Sequence, residues 1–301
     1  MRIFVTGNCG FIGSHLYNYL KRRGHSVIGI DNLSHSCERS TPSINADVRY
    51  YSDIEQYVKW SDVVMHLAAQ IHVDKSITNP QETIDTNITG TLNVLEAVKK
   101  HNKEMVFASS SEIYGSYDGL INETNQLNPQ SPYAASKVAA DRLCFSYHET
   151  YGTKVSILRN FNTFGEYQND TSYGGVIAIF TKQALAGKDI TIYGDGTQKR
   201  DYMHIKDAIA GYMLCVEKKL YGAPVNIGTG STIKIIDLAF IIKLLTKSKS
   251  NIVHLKARDG EVQQLQADIK LAESYGFVSR TNFEFDLANY INWYKNAKAK
   301  K

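Results

Sequence analysis

The chain has 301 residues, with 34 Lys and Arg against 30 Asp and Glu, a formal net charge of +4, and 43% hydrophobic and 21% charged residues. That composition excludes wholesale disorder and fibrous repeats. The weak positive charge argues against nucleic acid as a partner, and every apolar run falls short of the roughly 18 to 20 residues that a membrane span needs. Cys9, Cys37, Cys144 and Cys215 lie far apart with no CxxC or Cys/His pairing, so no disulfide framework or metal site is expected and a reducing cytoplasm fits best.

The opening MRIFVTGNCGF lacks a basic leader ahead of a long apolar stretch and reads as a first strand, Ile3–Thr6, so secretion is not expected. A helix, Gly13–Arg23, follows. Strands are then expected at Val27–Asp31, Val63–Leu67, Met105–Ser109 and Val155–Arg159, with helices at Gln81–His101 and Pro132–Tyr151. This alternation predicts an α/β fold, a doubly wound parallel sheet whose ligand lies beyond the carboxyl ends of the strands. After Asn162 the rhythm breaks. Residues 164–175, with Gly165, Gly174 and Gly175, read as a loop. Strands near Thr191 and Val225 and a helix near Ile235–Leu245 predict a smaller mixed subdomain whose chain crosses back to the sheet. The terminal KNAKAKK reads as a frayed, solvated end.

Gly7-Asn8-Cys9-Gly10-Phe11-Ile12-Gly13 directly follows the first strand and opens the first helix. Glycine is needed where the backbone turns sharply, where a pyrophosphate approaches and where helix meets strand, and the helix N-terminus offers N–H groups to phosphate. The second strand ends in Asp31, 18 residues past Gly13, where an acid binds a ribose diol and repels a 2′-phosphate, so NAD is favoured over NADP. A helix cap or turn is the alternative role for Asp31.

Tyr133 and Lys137 form a YxxxK pair on one helix face. The same spacing occurs at Tyr17/Lys21, Tyr202/Lys206 and Tyr294/Lys298, which read as surface pairs. Context selects Tyr133: Ser131-Pro132 makes a good helix start, and Ser109-Ser110-Ser111 ends a strand some 22 residues earlier. A phenolate near neutral pH requires nearby positive charge, from Lys137 and an oxidised nicotinamide. Ser110 would hold the reacting hydroxyl beside the tyrosine. A packed tyrosine with a solvated lysine is the alternative.

These motifs resemble the extended short-chain dehydrogenases/reductases, the NAD-dependent nucleotide-sugar epimerases and dehydratases, over nearly the whole chain. The resemblance implies a Rossmann-type sheet over residues 1–165 and a mainly nucleotide-sugar-binding subdomain over 166–301. For the cofactor it implies contacts from Gly7, Gly10, Phe11, Ile12, Gly13, Asp31, Asn32, the adenine pair Asp47-Val48, Leu67-Ala68-Ala69 beneath the nicotinamide ribose, Asn87, Tyr133 and Lys137. Cys9 departs from the small residues usual in the loop and is not expected to be catalytic. In SPYAASK it places the catalytic tyrosine and lysine, and on Ser110 the catalytic hydroxyl. For the substrate, a nucleotide-diphosphate sugar, it implies Ser110, Ser111, Asn162 and Arg200 in GDGTQKRDY, Tyr193 flanking the base, and the turn Arg258-Asp259-Gly260-Glu261, with Arg258 on diphosphate and Glu261 on ribose. Each of these alone would read as a solvated charge or loop residue. The resemblance also implies a homodimer through the helices near 82–101 and 132–151.

Oxidation at sugar C4 opens several reactions, and only a 4,6-dehydratase needs an additional acid/base near C5 and C6. Glu112 in SSSEIYG stands where many 4-epimerases carry a small or β-branched residue and where dehydratases and related decarboxylases carry Glu. HLAAQIHVDKSI likewise resembles the HLAAxxHVDRSI stretch of hexose 4,6-dehydratases. Ser111, however, stands where dTDP-glucose dehydratases carry Asp, although GDP-mannose dehydratases and UDP-glucuronate decarboxylases share Ser-Glu. The R-x-G-E turn leans towards UDP-sugar epimerases. The balance favours a dehydratase with Glu112 as the C5 base. The alternatives are a UDP-hexose 4-epimerase of the UDP-glucose or UDP-N-acetylglucosamine type, with Glu112 a structural acid, and a non-catalytic NAD- or nucleotide-sugar-binding protein.

Overall fold

The structure is a computed structural model that describes residues 1–34, 41–171, 174–258 and 261–298. Cys37, Asp259 and Gly260 lie outside the described residues. Six strands open the chain: β1 (Arg2–Thr6), β2 (Ser26–Asp31), β3 (Ile44–Asn45), β4 (Val63–His66), β5 (Glu104–Ser110) and β6 (Lys154–Asn160). Four short ones follow, β7 (Asn162–Phe164), β8 (Ile190–Tyr193), β9 (Lys199–Arg200) and β10 (Tyr202–His204), before β11 (Pro224–Ile227). β11 returns to the first sheet, which has the order β11-β6-β5-β4-β1-β2-β3 with every pairing parallel.

Helices cover both faces, so the central strands read as near-continuous apolar runs. Val5, Leu16, Leu158 and Tyr212 belong to the core on one face, and Phe4, Leu95, Phe107 and Ile157 to the core on the other. The strand order reverses direction at β1, between β4 and β2, and a crevice opens there at the carboxyl ends. The second lobe packs helices Val176–Leu185, Ile235–Thr246 and Phe283–Lys298 around Phe164, Ile192, Leu238 and Tyr290. The chain does cross back: helix Ile205–Lys218 and β11 pack with the main sheet, so the two lobes interleave in sequence.

Three expectations need correction. The helix expected over 81–101 is three pieces, Pro80–Ile84, a π-helical turn Asp85–Thr89 and Gly90–Lys100. The widened turn carries Asn87, whose buried amide bonds Gln70 and Ser136. Tyr17, Tyr202 and Tyr294 are no surface residues. Each is only 6% exposed, its ring filling a core. KNAKAKK is helical as far as Lys298, at the end of Phe283–Lys298. Helix Tyr51–Trp60 fills a gap between strands, as the alternation implies, whereas helices Val176–Leu185 and Ile205–Lys218 carry no motif and escaped the sequence reading.

One buried ion pair ties helix Pro132–Tyr151 to the sheet beneath it. Arg159 on β6 and Asp141 on the helix are 1% and 0% exposed, and Arg159 donates to both carboxylate oxygens at 3.0 and 2.9 Å. Ser109 Oγ donates to the same carboxylate at 2.7 Å, and Arg159 Nη1 donates to the Tyr114 hydroxyl at 2.7 Å. Burial opposes the Asp141 charge, but Arg159, helped by Arg142, holds it below the usual carboxylate range. Arg159→Met leaves that carboxylate only Ser109 and the more exposed Arg142 as partners and is expected to cost up to about 3–5 kcal/mol of stability, read as a fall in the urea midpoint. A loss below about 1 kcal/mol would show that the pair does not anchor the helix.

Candidate active site

A cleft of about 840 Å³ runs along the carboxyl ends of the strands, from the glycine loop to the second lobe. Its first half is built by β1 and the loop behind it. Gly7 has φ +72°, and a Cβ on it would lie 2.8 Å from the Ala68 nitrogen. A Cβ on Gly13 would lie 2.0 Å from the Gly7 carbonyl, so only hydrogen fits. Gly10 turns the loop, its N–H donating to Gly7 O at 3.1 Å. Helix Phe11–Arg22 then starts without a side-chain cap, and Phe11 and Ile12 line the cleft at its positive end.

Asp31 ends β2 on the cleft wall. Its carboxylate accepts from Cys9 N at 3.1 Å and Leu33 N at 2.8 Å, shaping the turn, while the residue lines the cleft. Asn32 donates to Asp47 at 3.0 Å. Burial opposes the Asp47 charge, but its bonds from Arg49 and Asn32 win and hold its pKa below the usual range. Val48 lines the same end, and Gly90 leaves room for it: a Cβ there would lie 2.7 Å from Val48 Cγ2. Leu67, Ala68 and Ala69 line the cleft just past β4. Asn87 does not line it. It stands one layer behind, accepting from Gln70 N at 2.8 Å and donating to Gln70 O at 2.9 Å and Ser136 Oγ at 2.8 Å. It therefore positions Gln70, which does line the cleft. Cys9 is buried outside the lining, its thiol 3.6 Å from Thr41 Oγ1. The cradle at Gly7 and Gly13 and the acid at Asp31 fit a dinucleotide.

The candidate reacting centre sits where helix Pro132–Tyr151 meets β5. Ser131 caps the helix by accepting from Ala134 N at 3.1 Å, with Pro132 in the first turn. Lys137, 4% exposed, donates to the Ala108 carbonyl and lies 4.4 Å from the Phe107 ring centroid. Burial pulls its pKa down to about 8. Tyr133, 8% exposed, is pushed up to about 12 by burial, with a hydrogen bond from Ser110 opposing. Ser110 ends β5, and its Oγ also accepts from Glu112 N at 3.2 Å. Glu112 follows on a short turn, Ser111–Tyr114. Burial raises its carboxyl above the usual range, Arg200 opposing and Glu261 adding. Ser110, Ser111, Glu112, Tyr133 and Lys137 all line the cleft.

The second lobe supplies the facing wall, lined by Asn162 from β7, Tyr193 from β8, Arg200 from β9, and Arg258 and Glu261 beyond. Arg200 Nη2 lies 3.9 Å from Glu261 Oε1. The Arg258 guanidinium stacks over the Tyr193 ring at 3.9 Å and reaches Asp74 of the first lobe at 3.6 Å. Two guanidinium groups on one wall suit a diphosphate. Sequence reading missed Arg49, His72, Asp74, Gln183, Gln198 and Tyr202, which also line the cleft. HLAAQIHVDKSI could have pointed to His72 and Asp74. Gln198, which donates to Tyr193 O at 3.0 Å and Glu261 at 3.3 Å, carried no signal.

The model of the NAD-dependent epimerase/dehydratase family matches residues 3–228. The chain belongs to this family. A UDP-N-acetyl-alpha-D-glucosaminuronate decarboxylase of Bacillus cytotoxicus is 33% identical over 316 residues, covering 98% of each chain. The structure of a dTDP-glucose 4,6-dehydratase from Streptomyces venezuelae, with NAD bound, superposes with a TM-score of 0.93 at 29% identity, covering 100% of this chain and 98% of that one. A UDP-glucose 4-epimerase from Thermotoga maritima, with UDP-glucose, gives 0.93 at 29% identity, covering 99% and 100%. Membership makes the protein an NAD-dependent nucleotide-sugar enzyme with a Rossmann-like sheet. No helix among the described residues is long and apolar enough to cross a membrane.

Asp31→Ala removes an acceptor for ribose hydroxyls. It is expected to raise the NAD dissociation constant roughly ten- to hundredfold, the size of a lost charge-assisted hydrogen bond, and to erase discrimination against NADP. Calorimetric titration of both dinucleotides checks this, and native-like selectivity in the variant would remove Asp31 from the cofactor site.

Proposed function

We propose that the protein is a nucleotide-sugar 4,6-dehydratase in which Glu112 works at C5. The observation that carries this reading is a half-buried carboxyl, held above the usual carboxylate range by desolvation, on the same stretch of wall as Ser110, Tyr133 and Lys137. A C4 oxidation alone has no use for it.

When bound, NAD supplies the hydride acceptor at C4 and donor at C6, and its oxidised ring adds positive charge beside Tyr133. Gly7, Gly13 and Asp31 would hold it. As a phenolate steadied by Lys137 and Ser110, Tyr133 takes the C4 hydroxyl proton and becomes the neutral phenol. Arg200 and Arg258 grip the diphosphate and fix the sugar's distance from Tyr133. With C4 at the ketone level the C5 hydrogen is acidic, and Glu112 removes it as a proton. The same carboxyl delivers that proton to the C6 oxygen, which leaves as water. Recharged from solvent, Glu112 returns a proton to C5.

A second reading, a UDP-hexose 4-epimerase, draws support from Ser111. This buried hydroxyl stands beside Glu112, so no second carboxyl is available there to protonate the C6 oxygen. Mass spectrometry after incubation with UDP- and dTDP-sugars separates the two: loss of one water supports dehydration, unchanged mass with inverted C4 supports epimerisation.

Two substitutions locate the steps. Tyr133→Phe should keep fold and NAD binding while turnover falls by about two to four orders of magnitude. A nearly active Tyr133→Phe enzyme would end the mechanism. Glu112→Gln keeps the size but cannot accept the C5 proton. In that variant added substrate should still reduce the bound cofactor, seen as a persisting near-ultraviolet absorbance, while water loss and C5 exchange with heavy water stop. A native enzyme that inverts C4 with no solvent deuterium at C5 would establish the epimerase instead.

A further inference from the structure

Among the described residues, four buried side-chain oxygens on residues lining the cleft lack a hydrogen-bond partner in the protein: Asn160 Oδ1, Asn162 Oδ1, Gln168 Oε1 and Tyr202 Oη. The first differs from the others in its place. Asn160 is the last residue of β6 and is paired in register with Ser110, the last residue of β5. Register partners on parallel strands present their side chains to the same face. Val106 and Leu158, four and two residues earlier, mark that face as the one covered by helix Ile205–Lys218.

From that helix Tyr212, wholly buried, accepts a hydrogen bond from Asn160 Nδ2 at 2.7 Å. Tyr212 in turn lies close enough to Tyr133 for the two to influence each other electrostatically. The bond to Tyr212 fixes the amide plane. The Asn160 side chain, 9% exposed, is therefore held with its nitrogen satisfied and its carbonyl oxygen without a donor, next to the reacting serine. Buried acceptors are ordinarily paired, and a carbonyl oxygen has nothing to offer a phosphate or carboxylate, which only accept.

We infer that Asn160 is a ligand-contacting residue of the reacting centre, its side-chain carbonyl accepting a hydrogen bond from an O–H or N–H donor presented beside Ser110. This rests on the reading of the cleft as a dinucleotide and nucleotide-sugar site, where two groups carry such donors: the carboxamide of the nicotinamide and the hydroxyls of the sugar. The neutral amide recognises either without adding charge near Tyr133. It thereby fixes an orientation while leaving the phenol's ionisation to Lys137 and the cofactor.

Calorimetric titration decides between the sources and tests the contact. The probes are NAD with the free protein, then UDP-glucose or dTDP-glucose, whichever binds, with the NAD-loaded protein. Asn160→Ala should weaken one affinity about fivefold or more, the size of a lost hydrogen bond, while the other moves less than about twofold. NAD is the affected ligand if the donor is the carboxamide, and the nucleotide sugar if it is a hydroxyl. Asn160→Asp keeps both shape and acceptor and should hold the affected affinity within about twofold of native. If Asn160→Ala does not fold, the near-isosteric Asn160→Leu carries the same expectation. Two unchanged affinities in a folded variant overturn the inference, as does an Asp variant that loses as much as the Ala variant. The sugar titrations are made in the Tyr133→Phe background, which keeps NAD binding and suppresses turnover, and are compared with Tyr133→Phe alone. A protein that binds these ligands but converts none would refute the proposed function and still leave Asn160 open to judgement.

Discussion

The Lys137 ammonium meets the Ala108 carbonyl in the interior of the molecule. That contact fixes the height of helix Pro132–Tyr151 against the end of β5. Tyr133, one turn earlier on the same helix face, is thereby brought to Ser110, two residues beyond Ala108 on the strand. A buried cation is unfavourable by itself, and burial lowers Lys137 to about 8, with Cys144 and Asp141 opposing. The face of Phe107 and the carbonyl replace part of the lost hydration. The Asp141–Arg159 pair, a turn further along, holds the same helix to the same strands, with Ser109 bound to Asp141. Helix and strand therefore cannot shift past one another without breaking several buried polar contacts at once.

This framework divides the cleft electrically. At the reacting end, burial pushes both Tyr133 and Glu112 above their usual ranges. At the far wall, Arg200 and Arg258 carry fixed positive charge, each beside an acid, Glu261 or Asp74. In the proposed reading, a diphosphate would replace the acids those arginines hold, so recognition would exchange one ion pair for another.

The parts of this arrangement that follow from local rules were readable in the chain. The glycine loop, Asp31 at a strand end, Ser131-Pro132 ahead of a helix and the serines ending β5 are each decided by neighbours a few residues away. The rest depends on contacts distant in sequence. Nothing near Asn87 announces a π-helical turn, because its cause lies in Gln70 and Ser136, 17 and 49 residues away. For the same reason Asn87 could be matched to a cofactor neighbourhood but not seen to stand behind the wall. Tyr17 and Tyr294 looked like copies of the Tyr133 pair until packing buried them. The interleaving of the lobes was foreseen only as a crossing back of the chain. That β11 would pair with β6 is a tertiary outcome, set by the apolar face of helix Ile205–Lys218.

The most direct measurement is the titration of Tyr133 itself, by carbon-13 NMR of ring-labelled tyrosine, with its signal assigned by its loss in Tyr133→Phe. Burial without an adjacent cofactor charge predicts that Tyr133 stays protonated far above neutral pH, its pKa near about 12 in the free protein. Binding oxidised NAD should lower that titration by about 1–3 units, as an adjacent positive charge does, whereas reduced NAD, lacking the ring charge, should leave it high. A Tyr133 that titrates at the same pH in the free, oxidised-cofactor and reduced-cofactor states would contradict a site in which burial stores the proton and the cofactor's charge releases it.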